Sequence, residues 1–201
     1  MTETGSEIPD TDPLALFDAW YAEAEKGEPH DPNAMALATA TAQGAPSVRM
    51  VLLKRHGDDT GFTFYTNAHS RKGEEIRQNM QAALLFHWKS IERQVRIEGP
   101  LREVGAAQAD SYFHSRARES QLGSAASNQS RPMASRAQYE ERIAALAEQY
   151  PEGNIPRPPH WTGFTVEVQR MEFWLDRPNR LHDRRLFSRD VKGWHSSLLF
   201  P

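Results

Sequence analysis

Short apolar runs separated by turn residues fill most of this 201-residue chain and restrict the folds that it can adopt. From Ala34 onward these runs follow one another with few helical segments between them, so the alternation of strand and helix that a parallel sheet requires is absent. The pattern predicts an antiparallel barrel with peripheral helices, mainly β and of the α+β class. Strands are expected at 34–41, 47–54, 62–66, 83–88, 93–104, 163–174, 180–188 and 194–200.

Four segments have helical patterns. Asp12 is placed to cap a helix that begins at Pro13, and apolar residues then recur at helical spacing as far as Ala24. Ser70 is expected to cap a short helix that runs to about Met80. Two further helices are expected at 106–116 and 134–150, with a polar loop at 117–131, a flexible tail at 1–11 and a single domain at 12–201.

Composition and spacing exclude several classes of function. A net charge of −3 argues against a nucleic-acid-binding protein, because such domains are usually basic. The chain has no cysteine, which fits a reducing cytoplasm, and its eight histidines show no metal-ligand spacing. No apolar run is long enough to span a bilayer, and the acidic N-terminus lacks the features of a signal peptide. We therefore expect a cytoplasmic protein without a metal, a membrane or a nucleic acid as partner.

Arg180, His182 and Arg184 occupy alternate positions behind an apolar run that contains Trp174. In an extended strand their side chains would share one face, where two cations and an imidazole suit an anionic ligand. Trp174 is either a core residue or a wall for a flat heterocycle. Gln94 either hydrogen-bonds the edge of a ring or is simply solvated.

The sequence has no glycine-rich phosphate loop, so arginine and lysine would have to hold a bound phosphate. The apolar strand at 47–54 carries Arg49 and Lys54, although a core strand with cationic ends is the simpler explanation of this segment taken alone. A second group surrounds the helix start at Ser70, where free N–H groups favour anions and a solvated helix cap is the simpler alternative. Its members are Tyr65, Thr66, Arg71 and Lys72.

Tyr112, Arg116 and Ser120 are each separated by four residues, which places them on one face if the helix continues through Ser120. A phenol, a guanidinium and a hydroxyl on one line would make a phosphate clamp. The solvated face of an amphipathic helix explains the same spacing. The polar residues Gln129 and Ser130 follow in the next loop.

Taken in order, these segments resemble the pyridoxine/pyridoxamine 5′-phosphate oxidase family of flavin enzymes. Each segment alone is weak evidence for this family, whereas the whole set, in the family's order over most of residues 30–190, is specific for it. The matching segments are Arg49–Lys54, Phe64–Asn67, Ser70–Lys72, Glu92–Val95, Tyr112–Arg116, Ser120–Gly123, Gln129–Ser130, Glu172–Trp174 and Arg180–Arg184.

The resemblance implies an FMN-binding split barrel of Greek-key type that works as a homodimer with FMN at the subunit interface. The implied FMN contacts are Arg49, Met50, Val51, Leu52, Tyr65, Thr66, Arg71, Lys72, Gln94, Gln129, Ser130, Trp174 and Arg184. The implied substrate contacts are Lys54, Tyr112, Arg116, Ser120, Arg180 and His182, of which the last two are catalytic. The implied reaction oxidises pyridoxine 5′-phosphate or pyridoxamine 5′-phosphate to pyridoxal 5′-phosphate, while O2 is reduced to hydrogen peroxide.

Two other functions stay open at this point. One is a related split-barrel flavin oxidase with another substrate, as in phenazine pathways, and the other is a non-catalytic protein that binds flavin or pyridoxal phosphate. A substrate without a phosphate would not need the whole set Lys54, Tyr112, Arg116 and Ser120. A protein that only binds its ligand would not need Arg180 and His182.

Overall fold

The computed structural model describes residues 7–58 and 60–201. Its five α-helices are α1 (Pro13–Gly27), α2 (Arg71–Gln78), α3 (Ala106–Ser115), α4 (Arg118–Ala126) and α5 (Arg136–Gln149). Its nine strands are β1 (Ala34–Ala40), β2 (Pro46–Leu52), β3 (Phe62–Asn67), β4 (Gln81–Trp88), β5 (Arg93–Glu103), β6 (Trp161–Val166), β7 (Arg170–Leu175), β8 (Asp183–Asp190) and β9 (Gly193–Leu198).

The strands form one antiparallel sheet in the order β2-β1-β4-β5-β7-β8-β9. The long strand β5 also pairs with β6, which in turn pairs with β3, so the sheet curls back on itself. The antiparallel α+β fold expected from the sequence is confirmed.

The two faces of the curled sheet differ in character. The inner face carries the core, in which Leu37, Phe86, Val95 and Phe173 are all fully buried. Since residues directly opposite each other in an antiparallel pair point to the same side, the registers also define the outer face. One row on that face runs from Met50 through Ala36, Leu85 and Arg96 to Glu172.

Helix α1 begins where the sequence predicts and covers the core of the barrel. The Asp12 carboxylate accepts hydrogen bonds from the backbone N–H groups of Leu14 (3.0 Å) and Ala15 (2.9 Å), which would otherwise lack partners at a helix start. Phe17 packs edge-on against Phe62 at 4.8 Å between ring centroids, and Trp20 likewise meets Phe173 at 5.1 Å. The aromatic residues at helical spacing therefore bury one face of α1 against the sheet.

Two expected elements differ from the structure. The loop expected at 117–131 contains α4, and the strand expected at 163–174 is two strands, β6 and β7, joined by a turn. Residues 1–6 of the expected tail lie outside the described residues. From Glu7 onward the segment is packed: Ile8 is buried, and its carbonyl accepts a hydrogen bond from Nε of Arg185 at 2.9 Å.

The strand expected at 180–188 begins later, at Asp183, so the predicted alternation of Arg180, His182 and Arg184 along one strand was wrong. Arg180 ends a 3₁₀ turn, Pro178–Arg180, and has a φ of 63°. Within the part of the chain that the structure describes, no helix is both long and apolar enough to cross a membrane.

Candidate functional site

A cavity of about 520 Å³ lies between β2, β3 and the α3–α4 region. It brings together residues that are far apart in sequence and that come from six of the matching segments named above. The predicted site residues that line it are Met50, Val51, Leu52, Lys54, Tyr65, Thr66, Lys72, Tyr112, Arg116, Ser120 and Gln129. We call this space the main cavity.

Three stacked aromatic rings form one wall of the main cavity. The rings of Tyr65 and Tyr112 are 4.1 Å apart between centroids, and Trp161 lies 5.3 Å from Tyr65 in a nearly parallel plane. Tyr65 sits directly on Gly163 of the neighbouring strand, where a Cβ atom would come within 2.8 Å of the tyrosine ring. The absence of a side chain at Gly163 therefore allows the stack to form.

Cationic groups project over this wall. The guanidinium of Arg116 lies 5.1 Å from the centroid of Trp161 and donates a hydrogen bond to Oγ of Ser124 at 2.8 Å. Burial removes part of the solvent that would stabilise the charge of Arg116, and this lowers the pKa of Arg116 from its ordinary value. The ammonium group of Lys54 lies 6.0 Å from the ring of Tyr112. Both cations are therefore available to an anion in the cavity.

Tyr112, Arg116 and Ser120 line the same cavity, although the helix does not continue through Ser120. Helix α3 ends at Ser115, Arg116 adopts an extended conformation, and α4 starts at Arg118. The buried side-chain amide of Gln121 donates to the carbonyl oxygen of Arg116 at 2.8 Å and so satisfies a group that the broken helix leaves unpaired. The break turns α4 back along the cavity and keeps Ser120 beside Arg116.

A cluster of cations lies at the start of α2, where Ser70 caps the helix as predicted by accepting from the N–H of Gly73. The ammonium group of Lys72 donates a hydrogen bond to the side-chain oxygen of Gln129 at 2.8 Å. Burial, followed by the charge of Arg49, lowers the pKa of Lys72 to about 8, although Glu75 acts in the opposite direction. A buried ammonium with a depressed pKa favours the arrival of an anion.

Arg49 and Arg71 do not line the main cavity but lie next to its Lys72 side, and both bond to Glu75. Nη2 of Arg49 lies 3.2 Å from Oε2 of Glu75, and Nε of Arg71 lies 2.9 Å from Oε1. Ser130 follows Gln129 but lines a neighbouring cleft with Arg131 and Tyr139 instead.

A second cleft, of about 410 Å³, lies on the outer face of the sheet. Gln94, Trp174 and Arg184 are direct cross-strand neighbours there, on β5, β7 and β8. Arg184 donates two hydrogen bonds to Oε1 of the buried Glu172, from Nε at 2.8 Å and from Nη2 at 2.7 Å. Its Nη1 also donates to the carbonyl oxygen of Phe200 at 3.0 Å, so the C-terminal residues help to hold it.

Arg180 and His182 lie at the edge of the second cleft, on the turn between β7 and β8. The imidazole of His182 packs against Trp174 in a tilted arrangement, with 4.5 Å between ring centroids. Its Nδ1 lies 2.8 Å from Oδ1 of Asp176 and 3.2 Å from the backbone nitrogen of Arg177. These contacts fix the ring and direct Nε2 away from them.

The predicted site residues thus fall mainly into two groups that share no lining residue. Comparison with known sequences then identifies the chain. Residues 22–150 match the family described as pyridoxamine 5′-phosphate oxidase, and residues 161–201 match the region described as the pyridoxine 5′-phosphate oxidase C-terminal dimerisation region. The chain belongs to the pyridoxamine 5′-phosphate oxidase family.

Similar members of this oxidase family are bacterial. A protein of Erythrobacter litoralis named pyridoxine/pyridoxamine 5′-phosphate oxidase is 65% identical, over 98% of this chain and 94% of its own length. A protein of the same name from Novosphingobium aromaticivorans is 60% identical, over 98% of both chains.

Among solved structures, PhzG from Burkholderia lata in complex with tetrahydrophenazine-1-carboxylic acid has a TM-score of 0.89 and 32% identity, over 96% of this chain and 94% of its own. A pyridoxamine 5′-phosphate oxidase-related, FMN-binding protein from Nostoc punctiforme has a TM-score of 0.76 at 16% identity, over 96% and 100%, and shares the fold. The predicted fold of the oxidase family is confirmed.

Sequence reasoning missed several residues that the oxidase-family fold brings to the site. Trp161 and Ser124 line the main cavity, whereas Glu75 and Glu172 hold arginines beside each cleft. The spacing of four residues between Arg71 and Glu75 is a signal that the sequence did contain. Trp161 follows a proline-rich connector and has no such local signal.

Proposed function

We propose that this protein is an FMN-dependent oxidase that converts pyridoxine 5′-phosphate and pyridoxamine 5′-phosphate to pyridoxal 5′-phosphate, with O2 reduced to hydrogen peroxide. The observation that carries the proposal is the convergence of two separate groups of cations beside one main cavity, in a chain whose relatives at 60–65% identity are named for this activity. One cation group would serve the cofactor phosphate and the other the substrate phosphate.

The substrate phosphate is assigned to Lys54, Tyr112, Arg116 and Ser120. These residues come from the end of β2, from α3, from the break between α3 and α4 and from α4, and all of them line the main cavity. The proposal is supported by their chemistry, because two cations and two hydroxyl groups match a phosphate dianion. Held far from the reacting carbon, the phosphate would contribute binding energy to the positioning of that carbon.

The FMN phosphate is assigned to Arg49, Arg71 and Lys72, which meet around the N-terminal turn of α2. The donor set fits the group: two guanidinium groups and an ammonium group suit a phosphate monoester. Further contacts with FMN are assigned to Met50, Val51, Leu52, Tyr65, Thr66, Gln129 and Ser130 on this side, and to Gln94, Trp174 and Arg184 on the outer face.

A homodimer with FMN at the subunit interface follows from the separation of the two groups. Val48 and Met50 are 68% and 61% exposed on the outer face, at the border of the main cavity, and the second cleft occupies the same face. A two-fold dimer buries the same patch of both copies. Packing of two outer faces would therefore bring the second cleft of one copy toward the main cavity of the other.

Residues 161–201, which match the dimerisation region, supply β6 to β9. Strands β6 and β7 both pair with β5, so this segment shares a sheet with the part that matches the oxidase family. We propose on this basis that the chain folds as a single domain. A cytoplasmic location belongs to the same proposal, and cell fractionation tests it.

Within this assembly Arg180 and His182 are assigned to the substrate ring. Because Nδ1 of His182 lies 2.8 Å from the Asp176 carboxylate and can donate its hydrogen there, Nε2 is the atom whose lone pair can take the proton that leaves the substrate hydroxyl or amine. The chemistry that FMN would supply when bound is that of a hydride acceptor that O2 reoxidises. The cation of Arg180 orients the substrate, and Trp174, which packs against His182, closes one side of the site to water.

A phenazine-type flavin oxidase is the second candidate, favoured by the structural similarity to PhzG. The phosphate-binding set in the main cavity favours the phosphorylated substrate instead. A non-catalytic binder of flavin or pyridoxal phosphate is the third candidate, and Arg180 and His182 argue against it.

An absorbance experiment on the purified protein separates these candidates. We expect flavin bands that bleach anaerobically on addition of pyridoxine 5′-phosphate and return with O2, with one hydrogen peroxide formed per turnover. Unphosphorylated pyridoxine, the matched control substrate, should bleach them far more slowly. Equal rates for both compounds would contradict the phosphate assignment, and a flavin that neither compound reduces would favour the binder.

A further inference from the structure

Glu75 is a buried carboxylate in the second turn of α2, and no role in the reaction has been given to it so far. Glu75 is 3% exposed, and its carboxylate accepts four hydrogen bonds. Oε2 accepts from the hydroxyl groups of Thr39 and Ser47 and from Arg49, and Oε1 accepts from Arg71. Three of these bonds end on Oε2 and one on Oε1, so both oxygens of the carboxylate are engaged.

These bonds join three elements. Glu75 and Arg71 lie on α2, Thr39 lies on β1, and Ser47 and Arg49 lie on β2. Nη1 of Arg49 also donates to Oγ1 of Thr39 at 2.6 Å and to the carbonyl oxygen of Leu37 at 3.1 Å. The guanidinium of Arg49 is therefore fixed on one side by the β1–β2 hairpin and on the other by Glu75.

Arg71 is held differently. Its side chain is 65% exposed, and Glu75 is the one partner of its guanidinium among the described residues, through Nε. An exposed arginine has many rotamers, so a single charged bond to a rigid buried carboxylate restricts where its two terminal nitrogens lie. Those terminal nitrogens are then left for a ligand.

The charges of the cluster also match the proposed ligand. Two arginines and Lys72 supply three positive charges, and Glu75 removes one of them. The remainder, +2, equals the charge that balances a phosphate monoester dianion. Without Glu75 three cations would face one another in a partly buried place before any ligand arrived.

We propose that Glu75 is a positioning residue that holds Arg49 and Arg71 in place for the phosphate of the cofactor. The inference rests on the proposed function, because it assigns that phosphate to these cations. It concerns a residue that touches neither cofactor nor substrate and acts through the two arginines.

Removal of the Glu75 charge has two opposite effects on FMN affinity. It relieves repulsion of the phosphate, and it releases the arginines, so the direction of the change in affinity tests the proposal. The substitution Glu75→Gln keeps the shape of the side chain but deletes a negative charge close to the phosphate. If Glu75 acted only through its charge, the variant would bind FMN more tightly than the wild type. If Glu75 acts by positioning, the variant binds FMN more weakly, because Arg71 is released into solvent and Arg49 loses a partner.

The experiment titrates flavin-stripped full-length protein with FMN and, separately, with riboflavin, which lacks the phosphate, and follows the quenching of flavin fluorescence. For Glu75→Gln we expect FMN affinity to fall by about tenfold to a hundredfold, the size expected for losing hydrogen bonds between charged groups. Riboflavin affinity should stay within about twofold of the wild type by the same reasoning. The matched control is Glu74→Gln, because Glu74 is the neighbouring residue on α2 but pairs with Arg131.

Unchanged or tighter FMN binding by Glu75→Gln would overturn the positioning role, and so would equal losses for FMN and riboflavin, which indicate a general structural defect. If that variant does not fold, Thr39→Val removes one hydroxyl that orients the carboxylate, and it should show a smaller loss that is again confined to FMN. A wild-type protein that does not distinguish FMN from riboflavin would instead refute the FMN assignment itself.

Discussion

The main cavity and the second cleft are built in different ways. The main cavity gathers side chains from β2, β3, α2, α3 and α4 around a stack of three aromatic rings, so one chain supplies a deep and nearly complete surface. The second cleft lies on the flat outer face of a sheet, where Gln94, Trp174 and Arg184 stand side by side and Arg180 is exposed on a turn. The first region is enclosed by side chains from several elements, whereas the second is lined mainly by neighbouring strands of one sheet face.

In both regions, nevertheless, one buried glutamate pairs with two arginines and holds them in place. Glu75 holds Arg49 and Arg71, and Glu172 holds Arg96 and Arg184. The partners of Glu172 are sheet neighbours, so strand register alone brings them together. The partners of Glu75 meet only because α2 packs on the β1–β2 hairpin. The main cavity therefore depends more on tertiary packing than the second cleft does.

Disruption of the proposed dimer, which would part the second cleft of one copy from the main cavity of the other, should have the largest effect on activity. Val48→Asp places a carboxylate on the exposed apolar part of the outer face, where burial against a second copy would leave it unpaired. We expect a monomer in size-exclusion chromatography with light scattering, and activity at background. Val191→Asp is the matched control, since Val191 is equally apolar and fully exposed but lies on the turn between β8 and β9. A fully active monomeric Val48→Asp protein would show that one copy suffices.

Removal of the Arg180 cation from the second cleft should have the next largest effect on activity. We expect Arg180→Ala to lower kcat by about a hundredfold, as loss of a preorganised charge near a reacting group typically does. FMN affinity should change little, because Arg180 is assigned to the substrate and not to the cofactor. Arg189→Ala, an exposed arginine of β8 that pairs with Asp58, should leave both values unchanged. Parallel losses of FMN and of turnover would contradict the catalytic assignment.

The smallest expected effect is a pH dependence of FMN affinity, which arises from the titration of Lys72. Its pKa of about 8 in the ligand-free protein means that the ammonium loses its proton above that pH. A bound phosphate raises this pKa, so binding takes up a proton above pH 8 and FMN affinity falls as pH rises. We expect binding to be about tenfold weaker at pH 9 than at pH 7. Lys72→Arg should flatten this dependence, and an identical slope in both proteins would point to another titrating group.

Several local features were predictable because their causes are local. The caps at Asp12 and Ser70 and the antiparallel class follow from short-range spacing and turn residues. The spacing of Tyr112, Arg116 and Ser120 predicted a shared face only if the helix continued through Ser120. The structure brings them together although α3 ends at Ser115, and a buried glutamine of the following helix binds the Arg116 carbonyl there, which no spacing rule within α3 anticipates.

The sequence by itself determined the antiparallel sheet, the family and the types of residue that could hold two phosphates, since periodicity and ordered segments are properties of the chain. Only the tertiary structure decided how these residues divide. It placed Arg180 on a turn and not in a strand, separated the second cleft from the main cavity, and put Glu75 between two arginines. The physical reason is that strand curvature and helix packing set the distances between side chains far apart in the sequence, and local spacing does not encode those distances.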